Sequence, residues 1–193
     1  MQNSLFDSVS LETSETLDEV NQELLEKGKA LFPNEFFILG TGKEDADVVI
    51  VGESPGAPDA DSEKPFMGPV GDLLVRILGA IDLKREEVYL TNVVKYISQG
   101  DELTPEILKF FTPFLEREIL AIKPKLIISL GNTPTKALLN TKKSITQMRG
   151  EFYDFHGIKL IPTFNPAYLL RDASKKREVW EDMKKVKAYL ESL

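Results

Sequence analysis

Residues Gly52–Leu74 read GESPGAPDADSEKPFMGPVGDLL, between an apolar run at Val48 to Val51 and a helical pattern that begins at Gly71. A short β-branched run bounded by glycine reads as a buried strand, and the segment after it as a loop feeding an amphipathic helix. The loop carries two acids, Glu53 and Asp59, a ring at Phe66 and several glycines and prolines. Carboxylates, a stacking ring and close-approach glycines at the end of a strand make a candidate chemical site rather than a simple connection.

The same alternation continues on both sides. Val88 to Val93 predicts a second strand with Asn92 near its end, Leu126 to Leu130 a third stopped at Gly131, and Leu160 to Pro162 a fourth. Between them, apolar residues recur at helical spacing: Leu73, Leu74, Ile77, Leu78 and Ile81, then Ile107, Leu108, Phe111, Phe114, Leu115 and Ile119. Thr104 and Pro105 read as the N-cap and first residue of that second helix, with an irregularity expected at Pro113. Thr133 and Pro134 open a shorter helix, and Val179, Met183, Val186 and Leu190 mark an amphipathic terminal one. Leu17, Val20 and Leu24 predict a helix over Leu17 to Phe32, ending near Pro33. Strands separated by helices of this length imply parallel βαβ units. The expected fold class is α/β: a three-layer α/β/α sandwich around a mostly parallel four-stranded sheet. Residues 1–15 are expected to form a flexible tail and 16–193 a single domain.

The 193 residues suffice for one core without requiring two. No apolar run reaches the length of a membrane span, and no basic region followed by an apolar stretch suggests a signal peptide. Zero cysteines exclude disulfides and thiolate-held zinc or iron–sulfur clusters and suit a cytoplasmic protein. The net charge of −7 argues against broad, salt-driven coating of nucleic acid. A nucleotide phosphate loop at GESPG is disfavoured, because it lacks a lysine at P-loop spacing and the G-x-G-x-x-G pattern. His156, the one histidine, falls in FHGIK, a hairpin turn that suggests neither a triad nor a metal site.

Four segments taken together, GESPGAPDADSEKPFMGPVG, LTNVVK (90–95), MRGEFYDF (148–155) and TFNPAYLLR (163–171), resemble the motifs of the uracil-DNA glycosylase superfamily, and within it the thermostable family 4 type. The resemblance covers roughly residues 47 to 172. It implies a monofunctional enzyme that hydrolyses the N-glycosidic bond of uracil in DNA, leaves an abasic site and uses water as nucleophile with no cofactor. Glu53 and Asp59 then stand as the carboxylates beside the developing oxocarbenium ion. Phe66 is the ring on which the flipped base stacks, and Asn92 reads it by accepting from N3–H and donating to O4. Asn165 donates to O2 and Ser54 holds the attacking water. Tyr168 or Leu169 wedges into the vacated stack while Arg171 meets a phosphate.

The match has departures. Asn165 stands where family 4 usually has histidine, Ser54 where a small residue is common, and Asp59 where glutamate is more usual. Family 4 members usually carry four cysteines around an iron–sulfur cluster; Tyr96 follows the second motif here, and Phe111 falls near another of those positions. Two alternatives follow: a glycosylase for hypoxanthine or xanthine, or a non-catalytic protein that binds uracil-containing DNA. The N-terminal Gln2-Asn3-Ser4-Leu5-Phe6 is similar to the Q-x-x-L-F peptide that bacterial proteins insert into the sliding clamp. The chain is expected to act as a monomer.

Overall fold

The first helix starts at a reciprocal cap: the Thr16 hydroxyl accepts from the Glu19 amide, and the Glu19 carboxylate accepts from the Thr16 amide. The computed structural model describes residues 15–98 and 103–193. Its elements in chain order are α1 (Leu17–Leu31), β1 (Thr41–Gly42), β2 (Val48–Gly52), α2 (Ala57–Ser62), α3 (Gly68–Gly79), β3 (Tyr89–Asn92), α4 (Pro105–Ile122), β4 (Leu126–Leu130), α5 (Asn132–Leu139), α6 (Ile145–Met148), β5 (Tyr153–Phe155), β6 (Ile158–Thr163), α7 (Pro166–Arg171) and α8 (Lys176–Glu191). The helix starts follow the caps that the sequence advertises. Thr104 Oγ1 accepts from the Ile107 amide, and Pro105 occupies the first turn, where it orphans no needed donor. α4 runs through Pro113, which lies on its exposed side, where water can satisfy the carbonyl the proline leaves unpaired.

The sheet has six strands rather than the expected four, in the order β1-β3-β2-β4-β6-β5. β3, β2, β4 and β6 pair in parallel and are the four strands expected from the sequence. β1 and β5 add antiparallel edges. Two residues of β1 and three of β5 are too short to leave an apolar alternation, so only tertiary pairing reveals them. They shield the flanks of a parallel sheet whose open edges would otherwise invite pairing.

Every residue of β2 and β4 is buried, because helices cover both faces. Val48 and Ile50 pack with Leu74 and Leu78 of α3, Leu169 of α7 and Met183 of α8. Val49 and Val51, one residue out of phase, pack with Leu24 of α1, Leu115 and Ile119 of α4 and Leu138 of α5. The period-two alternation of the strand thus divides the core into two layers and completes the sandwich. From the central β2 the chain moves to β3 on one side and then crosses to β4 on the other. That reversal opens a crevice at the carboxyl ends of β2 and β4, the position where open α/β sheets hold ligands.

Among the described residues, no helix is long and apolar enough to cross a membrane. The clamp-like residues Gln2, Leu5 and Phe6 lie outside the described residues. Glu15, expected as the last residue of the tail, is instead fastened to the domain: Arg117 of α4 forks onto Glu15 and Glu23 and so ties α4 to α1.

Candidate active site

Gly52 closes β2 and Asn92 closes β3, in register side by side. A Cβ at position 52 would lie 2.4 Å from Asn92 Oδ1 and 2.6 Å from Phe66 Cζ. Glycine is therefore what lets an amide and an aromatic ring converge over the strand ends. Asn92 is only 4% exposed, yet its side-chain amide has no hydrogen-bond partner among the described residues. Buried amides are nearly always paired, so an orphaned one that lines a cleft points to a partner that arrives from outside.

Beneath Asn92 lies a buried charged network. Lys95 Nζ donates to the Asn92 backbone carbonyl at 2.6 Å, to Thr91 Oγ1 at 2.5 Å and to Glu118 Oε2 at 2.6 Å. Thr91 Oγ1 and the Tyr89 hydroxyl both donate to the other oxygen, Glu118 Oε1. Every ammonium proton and both carboxylate oxygens are engaged, the condition under which a buried ion pair is tolerated. Burial, reinforced by the Glu118 charge, pushes the Tyr89 hydroxyl far above its ordinary range, so Tyr89 stays protonated and donates to Glu118.

The Phe66 loop is held from within. Asp59 is buried, and its Oδ2 accepts from the Gly56 and Phe66 amides while Oδ1 accepts from the Met67 amide at 2.7 Å. Arg85 donates to the Phe66 carbonyl at 2.7 Å and to the Pro65 carbonyl at 2.6 Å. Asp59, expected beside the reacting sugar, lines the cleft, and both its oxygens accept from loop amides, so it holds the loop's shape.

Glu53, by contrast, is exposed at the mouth, and its Oε2 accepts from Thr133 Oγ1 in the first turn of α5. That bond bridges the crevice between β2 and β4. Opposite, Asn165 caps α7, its Oδ1 accepting from the Ala167 amide at 2.9 Å. The cap consumes the oxygen and leaves the NH2 group as the free end.

Glu53, Ser54, Asp59, Phe66, Asn92 and Asn165 line one cleft of about 230 Å³. A second groove of about 510 Å³ shares Glu53 and Asn165 and continues past Asn132, Thr146, Tyr168 and Arg171. The fold thus unites residues from loops far apart in sequence. Leu169 is the exception: at 1% exposure it belongs to the core beneath α7, so it is not available as a wedge. On a helix of 3.6 residues per turn its neighbour faces outward, and Leu170 is 49% exposed. The third motif is a brace rather than a contributor to the cleft. Arg149 forks onto Asp182 of α8, whose Oδ2 also accepts from the Thr163 hydroxyl at the end of β6.

The model of the Uracil DNA glycosylase superfamily matches residues 39–184. The chain belongs to this superfamily. It is 39% identical over 158 residues to a type-4 uracil-DNA glycosylase of Thermotoga maritima, covering 79% of this chain and 82% of that protein. A type-4 uracil-DNA glycosylase of Saccharolobus solfataricus is 38% identical over 166 residues, covering 80% and 76%. One of Archaeoglobus fulgidus is 31% identical over 183 residues, covering 89% and 92%.

In this uracil-DNA glycosylase superfamily member an aromatic cluster packs between α1, α4 and the segment after β3. Tyr96, at one position where family 4 usually has a cluster cysteine, and Phe111, near another, have ring centroids 5.7 Å apart. Phe32 lies 5.2 Å from Tyr96 and 5.8 Å from Phe111, and Phe110 packs edge-on to Phe111 at 4.9 Å. With no cysteine in the chain and rings filling the space, these residues do not fit an iron–sulfur cluster. Aromatic packing joins the 96-region to α1 and α4 instead.

Sequence reasoning missed Arg85, Thr133 and the Lys95–Glu118 pair. Only Lys95 left a signal: a lysine directly after Asn-Val-Val at a buried strand end needs an acid brought to it by the fold.

Proposed function

We propose that this superfamily member removes uracil from DNA by hydrolysing its N-glycosidic bond. The observation that carries the reading is the buried, partnerless amide of Asn92 beside the Phe66 ring. A flipped pyrimidine stacked on Phe66 would present N3–H and O4 to that amide, making hydrogen bonds that no described residue supplies. Cytosine offers the opposite donor–acceptor pattern, so the amide must turn over to pair with it.

The C1′–N1 bond breaks with its electron pair leaving on uracil. Charge builds on O2, which the free NH2 of Asn165 meets as a donor fixed in polarity by the helix cap. The sugar becomes oxocarbenium-like beside the Glu53 carboxylate, held at the cleft mouth by Thr133. A water oriented by Glu53 and the Ser54 hydroxyl attacks C1′ and passes a proton to the Glu53 carboxylate; with that proton returned to the uracil anion, neutral uracil and an abasic sugar result. Asp59 acts at one remove, through the loop that carries Phe66.

The groove past Tyr168 and Arg171 is suited to the DNA strand, with Arg171 at a phosphate and Tyr168 or the outward Leu170 at the vacated stack. The protein is proposed to act as a monomer, with 16–193 as the working domain. Gln2, Leu5 and Phe6 are proposed to dock into a sliding clamp, and the protein to work in the cytoplasm. A labelled oligonucleotide with one uracil, incubated with protein and then alkali, tests the activity. Absence of strand cleavage at micromolar protein, on both single- and double-stranded substrate, would refute it.

A further inference from the structure

Phe66 has φ of +57°, in the left-handed region. A bulky residue is a rare outlier there and persists only where its surroundings over-determine it. The surroundings are specific. Asp59 takes the amides of residues 66 and 67 from one side, and Arg85 takes the carbonyls of residues 65 and 66 from the other. Opposite charges therefore grip consecutive peptide groups from both sides. The first turn of α3 closes on the same segment: a Cβ on Gly71 would lie 1.9 Å from the Phe66 carbonyl oxygen, so glycine is what admits the approach.

Arg85 comes from a 3-10 turn, Arg85–Glu87, immediately before β3. β3 is the strand that ends in Asn92. One short element thus references both walls of the pocket, the ring through Arg85 and the base-reading amide through β3. Arg85 lines neither the cleft nor the adjoining groove, and both its terminal nitrogens are turned onto the Pro65–Met67 segment.

We propose that Arg85 is a positioning residue for the stacking ring: with Asp59 it clamps the Pro65–Met67 backbone and sets the ring's distance from Asn92. It thereby tunes affinity for the extruded base rather than for DNA. The inference rests on the cleft being a uracil pocket.

The test uses the full chain with Arg85→Ala, Arg85→Lys, Phe66→Ala and the Arg85→Ala/Phe66→Ala pair. It follows inhibition by free uracil, single-turnover excision and binding to undamaged duplex. Arg85→Ala should weaken uracil inhibition and slow excision by about tenfold or more, the scale of one lost charge-assisted hydrogen bond. Binding to undamaged duplex should stay within about twofold, Arg85→Lys should recover part of the loss, and in the Phe66→Ala background the arginine change should add less than about twofold, because both act through one ring. Amide exchange at Phe66 and Met67 should accelerate in Arg85→Ala. Unchanged uracil inhibition, a full additional loss in the Phe66→Ala background, or unchanged exchange would overturn the clamp. Exchange needs no activity, so a wild-type chain that releases no uracil refutes the function, and unchanged exchange refutes the clamp.

Discussion

Replacing Glu118 by glutamine should destabilise the protein far more than its conservative shape suggests. Glu118 and Lys95 are each 1% exposed, with Nζ and Oε2 2.6 Å apart. At an effective dielectric near ~20, that separation corresponds to about 6 kcal/mol of gross attraction. An amide dipole recovers part of it, and its Oε1 can still accept from Tyr89 and Thr91. The ammonium, however, stays buried against a neutral group, and removing one partner of such a pair costs about 3–5 kcal/mol. For a chain of this size each kcal/mol is about 2–4 °C, so Glu118→Gln should lower Tm by roughly 6–20 °C. Lys95→Met/Glu118→Gln removes the stranded charge and should regain most of that loss. Excision should not recover with stability, because the Asn92 carbonyl has lost its donor at Lys95 Nζ. Thermal unfolding and single-turnover excision on the same samples separate the two effects. A Glu118→Gln protein that melts within about 3 °C of wild type, or a double variant no more stable than it, would refute the reasoning.

Three further outcomes are expected. Asn165→Asp keeps the oxygen that caps α7 and removes the donor, so Tm should hold within about 2 °C while excision falls by roughly 10²–10³; an unimpaired rate would remove Asn165 from the chemistry. Gly52→Ala puts a methyl group 2.4 Å from Asn92 Oδ1 and 2.6 Å from the Phe66 ring. It should abolish inhibition by free uracil while leaving binding to undamaged duplex intact, as paired inhibition and binding assays would reveal. The hydrogen bond from Arg117, and then that from Lys27, lowers the Glu23 carboxyl from its ordinary 4.5 to about 2. A depressed carboxyl stabilises the fold above its unfolded value and loses that contribution as pH falls through the folded one. The Tm difference between wild type and Glu23→Gln should therefore be full above pH 4.5, shrink toward pH 2 and diminish in high salt, since the group is partly open to solvent. A difference independent of pH would exclude the ion pairs as its source.

Much of the fold was legible because local rules and global packing agree. Thr16, Thr104 and Pro105 start helices where caps and first-turn prolines are favoured. The fully apolar runs of β2 and β4 report burial on two faces. Glu53, Ser54, Asn92 and Asn165 were legible as candidates because each lies at or just past the end of a predicted strand, and Phe66 because it closes the loop that follows the first of them; the parallel topology gathers those ends on one edge. Leu169 and Leu170 illustrate the limit: adjacent leucines are equivalent in the sequence, and only the orientation of α7 on the core buries one and exposes the other. The edge strands β1 and β5 were invisible for a related reason, since two or three residues carry too little periodicity to be read.

Residue types and their order along the chain were enough to indicate a parallel α/β sheet, a pocket at its carboxyl edge and a glycosylase-like set of side chains. The division of labour among those side chains came from long-range contacts. Asp59 became a loop holder once its oxygens met the amides of residues 56, 66 and 67. Arg85 reaches back 19 residues to the Phe66 carbonyl, and Lys95 meets an acid 23 residues away. Hydrogen-bond roles are assigned by what lies within about 3 Å in space. The one-dimensional pattern carries periodicity and local chemistry, but no record of which distant donor the folded chain brings to which acceptor.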